Sequence, residues 1–164
     1  MSLCIDTKTA VLDAVNGSLC EVFEMMVGES IVPIDSREVH EPFDKTDPDQ
    51  EDLSVVVGLS GGLKGSLNIC LDQNAAFRWT VQLIDHETTT IDQTVVDAAG
   101  ELGNMVVGGT KRRLSDHNLT MALPSVIRAG IECLEFPSTV IPVRLDYCYG
   151  NCRIAVIVAL SQQT

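Results

Sequence analysis

Glu101 and Asn104 stand three residues apart in the run Glu101-Leu102-Gly103-Asn104-Met105-Val106-Val107-Gly108. In a helix that spacing sets a carboxylate and a carboxamide about 60° apart on one face. An amide both donates and accepts hydrogen bonds, whereas an ionised carboxylate only accepts. Asn104 can therefore hold a water through its carbonyl while its NH2 group contacts an electron-rich centre. That arrangement suits in-line attack on a phosphoryl group, where catalysis is mostly positioning and charge stabilisation. The chain carries no Ser-His-Asp set and no Walker-type glycine loop. Such a helix would have to borrow the rest of its active site from a partner.

Extending the helical wheel adds Asp97, Gly108 and Arg112 to the same face, and sets Val95, Ala98, Ala99, Leu102, Val106 and Gly109 on the other. Taken alone, the polar stripe also fits an ordinary solvated face. The glycines argue for more. Gly100, Gly103, Gly108 and Gly109 each cost roughly 1 kcal/mol relative to alanine inside a helix. A missing side chain lets another surface approach the backbone. A partner docking along the Glu101/Asn104 face accounts for the pattern, while tight packing within the fold accounts for part of it at Gly103 and Gly109. Lys111-Arg112-Arg113 form the only dense basic cluster, and cations in a last turn also favour the helix dipole.

The 164 residues are expected to form one domain, 1–164, large enough to bury a core. A formal net charge of -12 argues against nucleic acid or an anionic membrane as partner. Residues 1–30 begin without a basic segment and carry Asp6, Asp13, Glu21 and Glu24, so no secretory leader is expected. No apolar run reaches the roughly 18 residues of a membrane span. Six cysteines lack C-x-x-C spacing and none lies close to a histidine in sequence, which speaks against zinc. They read as reduced core thiols of a cytoplasmic protein.

Periodicity predicts an amphipathic helix over 7–27, a short strand over 31–38 and an exposed acidic loop over 41–52. A hairpin over 54–59 and 66–71 turns at Gly61-Gly62. A short helix over 74–84 and the long motif helix over 91–114 follow. Short strands over 119–123 and 125–128 flank Pro124, and a last hairpin over 140–147 and 152–160 turns near Gly150-Asn151. The order suggests an approximate helix–strand–hairpin duplication. Residues 21–28 and 101–108 share E-x-x-[E/N]-M-x-V-G at an offset of 80 residues. Chance likeness between two amphipathic helices is the alternative reading of that match. On this alignment Glu24 stands where Asn104 does, which makes the first helix a poor second site.

At Asp97-Ala98-Ala99-Gly100-Glu101-Leu102-Gly103-Asn104, with Gly108 and Lys111 following, the sequence resembles the CheC/CheX group of bacterial chemotaxis phosphatases. It is most similar to the single-motif CheX-like branch. The segments 58–65 and 123–128 fit the same branch, and the likeness spans about 11–160. The resemblance implies an α+β, CheC-like fold, with two long helices packed on a largely antiparallel sheet. It implies dephosphorylation of the aspartyl phosphate on a CheY-like receiver domain. Asn104 would orient the attacking water and Glu101 would pair with the receiver's lysine. Asp97, Gly108, Lys111 and Arg112 would line the partner surface. Mg2+ would be supplied by the phosphorylated receiver, and a homodimer is expected. A non-catalytic receiver-binding or flagellar-switch-type module is the other role found among such relatives.

Overall fold

The structure, a computed structural model, describes residues 3–40 and 51–162. Most of the predicted acidic loop, 41–50, lies outside the described residues. Three helices, α1 (Ile5–Val27), α2 (Gln73–Ile84) and α3 (Gln93–Arg113), pack on a seven-stranded antiparallel sheet. Its strands are β1 (Val32–Glu38), β2 (Leu53–Ser60), β3 (Leu63–Leu71), β4 (Thr120–Met121), β5 (Ser125–Ile127), β6 (Val143–Tyr149) and β7 (Cys152–Gln162). Across the sheet the order is β1-β6-β7-β3-β2-β4, with β5 also paired to β2. The predicted elements all form, each within a few residues of its expected bounds.

Short-range chemistry sets the helix limits. Asp72 and Asp92 cap α2 and α3, their carboxylates accepting from the amides of Ala75 at 2.6 Å and Val95 at 3.0 Å. Gly28 closes α1 in the left-handed region, at φ 68°. His86 donates to Asp92 at 2.9 Å, and that bond, with the Val95 amide behind it, holds the Asp92 carboxyl below its ordinary value. The predicted apolar stripe of α3 is the buried one: Val95, Ala98, Ala99, Leu102, Val106 and Gly109 all face the core.

Trp79 on α2 is fully buried and donates its indole N–H to the Ala98 carbonyl of α3 at 2.8 Å, one turn before Glu101. Trp79→Phe removes that donor and leaves a void, and should cost about 1–3 kcal/mol. Urea denaturation followed by circular dichroism would show a lower midpoint with an unchanged slope.

Two features depart from the sequence reading. Glu51, assigned to an exposed loop, is 5% exposed and ion-paired with Arg144, which also donates to Asp146 at 2.8 Å. On the sheet face away from the helices, Ile131, Leu134 and Phe136 cover Cys70, Ala155 and Ile157 as a second small core. Burial pushes the Cys70 thiol up to about 12.

The duplication is real, but its offset differs from the expected one. After each long helix the next strand crosses to the hairpin of the other half, β1 to β6 and β4–β5 to β2. Adding 88 to Val32 and subtracting 88 from Cys148 turns that pair into Thr120↔Ser60. The same operation carries Arg37↔Arg144 onto Ser125↔Val56 and Glu38↔Val143 onto Val126↔Val55. It also carries Ile5, the first residue of α1, onto Gln93, the first of α3. The helices meet where Ser18 Oγ donates to the Val106 carbonyl at 2.6 Å, and these two residues are themselves 88 apart. The offset of 80 is thereby corrected: Glu24 is the counterpart of Arg112, not of Asn104.

Candidate functional site

Asp97, Glu101, Asn104, Lys111 and Arg112 are all exposed and Gly108 is half-buried, in one stripe along α3. Asp92 at the cap, Trp79 at Ala98 and Ser18 at Val106 fix the helix on either side of Glu101 and Asn104, so the stripe is presented on an anchored element. Asn104 Nδ2 lies 3.5 Å from Glu101 Oε2, the outer limit of a hydrogen bond, so neither group is committed to the other. Asp97 is more occupied, accepting from Gln93 at 2.9 Å.

The four helix glycines divide into two kinds. A Cβ on Gly103 would sit 2.6 Å from Val55 Cγ1, and one on Gly109 would run into Ser18 Oγ. These two serve the packing of α3 on β2 and on α1. A Cβ on Gly108 meets nothing nearer than Arg112 Nη1 at 4.0 Å, and one on Gly100 only Val126 Cγ2 at 3.7 Å. Internal packing therefore gives no reason for glycine at 100 or 108. Gly108 extends the Glu101/Asn104 stripe as bare backbone.

The basic cluster also divides. Arg113 turns back to α1 and donates to Glu21 at 2.6 Å, a bond that holds the Glu21 carboxyl below its ordinary value. Lys111 and Arg112 make no ion pair with a described residue and stay on the open stripe. One neighbour was not expected as part of the surface. Leu123, just before the Pro124 that packs near Gly103, is an apolar side chain 88% exposed. Its burial state depends on where Pro124 turns the chain, which the sequence alone does not encode.

The chemistry available is that of a protruding carboxylate, a water-holding amide, a bare backbone patch and two exposed cations without an ion pair among the described residues. Among the described residues no group of three or more His, Cys, Asp or Glu side chains is arranged to hold a metal ion. No described helix is long and apolar enough to cross a membrane.

Solved structures of CheC-like proteins share this fold. A CheC-like superfamily protein from Shewanella sp. PV-4 superposes with a TM-score of 0.81 at 22% identity, over 93% of this chain and 97% of that one. A CheX from Desulfovibrio desulfuricans gives 0.76 at 20% identity, over 97% and 100%. The CheX–CheY–BeF3–Mg2+ complex from Borrelia burgdorferi gives 0.75 at 20% identity, over 97% and 100%. The family profile of chemotaxis phosphatase CheX matches residues 53–145, more than half of the chain, and the protein belongs to that family. No curated protein sequence matches it.

Proposed function

We propose that this protein hydrolyses the aspartyl phosphate of a CheY-like response-regulator receiver, with α3 as the docking and water-positioning element. The observation that carries the reading is the exposed, uncommitted Glu101/Asn104 pair beside bare Gly108 on a CheX-family fold. Asn104 accepts from the attacking water and points that oxygen at phosphorus. As the new P–O bond forms, the bond to the receiver's aspartate breaks, leaving a carboxylate and inorganic phosphate. The water's protons pass to phosphate and solvent. Mg2+ comes with the receiver; the Borrelia CheX was captured with CheY, BeF3 and Mg2+, which supports this assignment by analogy. Glu101 pairs with a receiver lysine, and Asp97, Lys111 and Arg112 line the same contact. Cytoplasmic residence and a homodimer belong to the same proposal, the latter checked by light scattering.

The direct test is phosphate release from a phosphorylated receiver with Mg2+ present. Release at the receiver's own rate with binding intact would make the protein a receiver-binding module instead. Glu101→Ala should separate docking from turnover. It removes one exposed charge pairing, so Kd for the receiver should rise about tenfold, equivalent to about 1.4 kcal/mol, with kcat much less affected. A fall in kcat with unchanged Kd would assign Glu101 to the chemistry.

A further inference from the structure

We infer that a cavity at the start of α1 binds a free α-amino acid with a branched aliphatic side chain, Glu38 taking its ammonium group and Lys8 its carboxylate. The cavity lies between the first turns of α1, the end of β1 and strands β6 and β7, and shares no residue with the Glu101/Asn104 stripe. Its volume is about 220 Å³. A dry aliphatic cavity of about 150 Å³ already takes up benzene, so a small branched side chain fits. Buried Val11, Val143, Val158 and Leu160 form the floor, and exposed Ile5 and Ile141 stand at the mouth. Among the described residues that line it, Lys8 and Glu38 alone carry a polar side chain.

The internal repeat shows that the fold does not require these two charges. The offset of 88 carries Lys8 onto Val96 and Glu38 onto Val126. Around α3 both places hold half-buried valines, and Val126 Cγ2 lies 3.7 Å from where a Cβ on Gly100 would sit. Around α1, Leu12 stands in place of Gly100 and lines the cavity together with Glu38. One half of the repeat thus fills this place with aliphatic carbon. The other sets a cation and an anion at the edge of an otherwise aliphatic space.

Lys8 and Glu38 pair with each other, yet their side chains stay 31% and 42% exposed. A pair so open to solvent adds little to stability. The bond from Lys8, and after it the one from His40, holds the Glu38 carboxyl below its ordinary value, so it is an anion at neutral pH. Capacity remains on both groups, since an ammonium has three donors and each carboxylate oxygen accepts twice. Glu38 Oε1 accepts from Lys8 and Oε2 from His40 at 3.1 Å, which leaves an acceptor site on each oxygen. Lys8 bonds no other described side chain, which leaves two donors. A zwitterion uses both at once and keeps the Lys8–Glu38 bond. A lone carboxylate competes with Glu38 for Lys8, and a lone amine competes with Lys8 for Glu38.

Calorimetric titration of the full chain with L-leucine, L-isoleucine and L-valine tests this. Glycine, isocaproate and isoamylamine are the probes that lack the side chain, the ammonium group and the carboxylate. One amino acid per chain is expected, with no heat from glycine. Isocaproate and isoamylamine should bind at least about tenfold more weakly than leucine, because each loses a charge-assisted contact. Lys8→Met and Glu38→Gln, both on the surface, should each weaken leucine by about tenfold or more. Lys8→Val combined with Glu38→Val copies the α3 half, and should abolish binding without lowering Tm. No saturable heat from any of the three amino acids overturns the site. Isocaproate or isoamylamine binding as tightly as leucine overturns the amino-acid assignment. A double-valine chain that melts lower and still binds leucine makes the pair structural, and overturns it as well. Each result leaves the α3 reading standing, because phosphate release tests that separately.

Discussion

Asn104→Ala is expected to slow Mg2+-dependent phosphate release from a phosphorylated receiver by at least about tenfold, while receiver affinity changes little. Placing one water for in-line attack can supply a hundredfold in rate, equivalent to about 2.7 kcal/mol of barrier. A methyl group can neither accept from that water nor donate to the phosphoryl oxygens. Asn104 is exposed and held only by a 3.5 Å contact to Glu101, so its loss should leave stability untouched. Asn104→Asp should be at least as damaging. It keeps the size but loses the donor, and it sets a negative charge against the developing charge of the transferring phosphoryl group. Single-turnover release at saturating enzyme separates the rate from binding. Should Asn104→Ala release phosphate as fast as the parent, Asn104 is not the residue that positions the water, whatever its affinity for the receiver.

Local signals were legible in the sequence because they depend on neighbours along the chain. The 3.6-residue period of Val95, Ala98, Ala99, Leu102 and Val106 marked the buried side of α3 and so defined its exposed face. Paired glycines at 61 and 62 marked the β2–β3 turn. What escaped was non-local. Glu51 read as loop because its partner Arg144 lies 93 residues away. Ile131, Leu134 and Phe136 follow no single period, because they cover a sheet face from an irregular segment. The repeat itself was seen, but at the wrong offset. The Met-x-Val-Gly likeness of residues 21–28 and 101–108 reflects the shared needs of two packed helices. Strand register across the sheet, invisible in one dimension, is what equates Glu24 with Arg112.

Gly108 and Gly109 are adjacent, yet alanine at each should have opposite effects on stability. At Gly109 the new methyl would run into Ser18 Oγ and lie 3.1 Å from Ser18 Cβ, both fully inside the α1–α3 crossing. Relief requires the helices to separate or Ser18 to rotate, and rotation breaks its 2.6 Å bond to the Val106 carbonyl. Overpacking combined with a lost buried hydrogen bond should cost about 3 kcal/mol, outweighing the roughly 1 kcal/mol gained in helix propensity. For a domain of this size the net loss of about 2 kcal/mol lowers Tm by about 4–8 °C. At Gly108 the methyl enters open space, so the propensity gain stands alone and Tm should rise by about 2–4 °C. The cost falls on function. A methyl on the stripe between Asn104 and Arg112 should hold the receiver away and weaken its binding. Thermal denaturation and receiver titration of the two variants test both halves. A Gly108→Ala protein that is stabilised and still binds at parental affinity would show that close approach of a partner is not why glycine stands there.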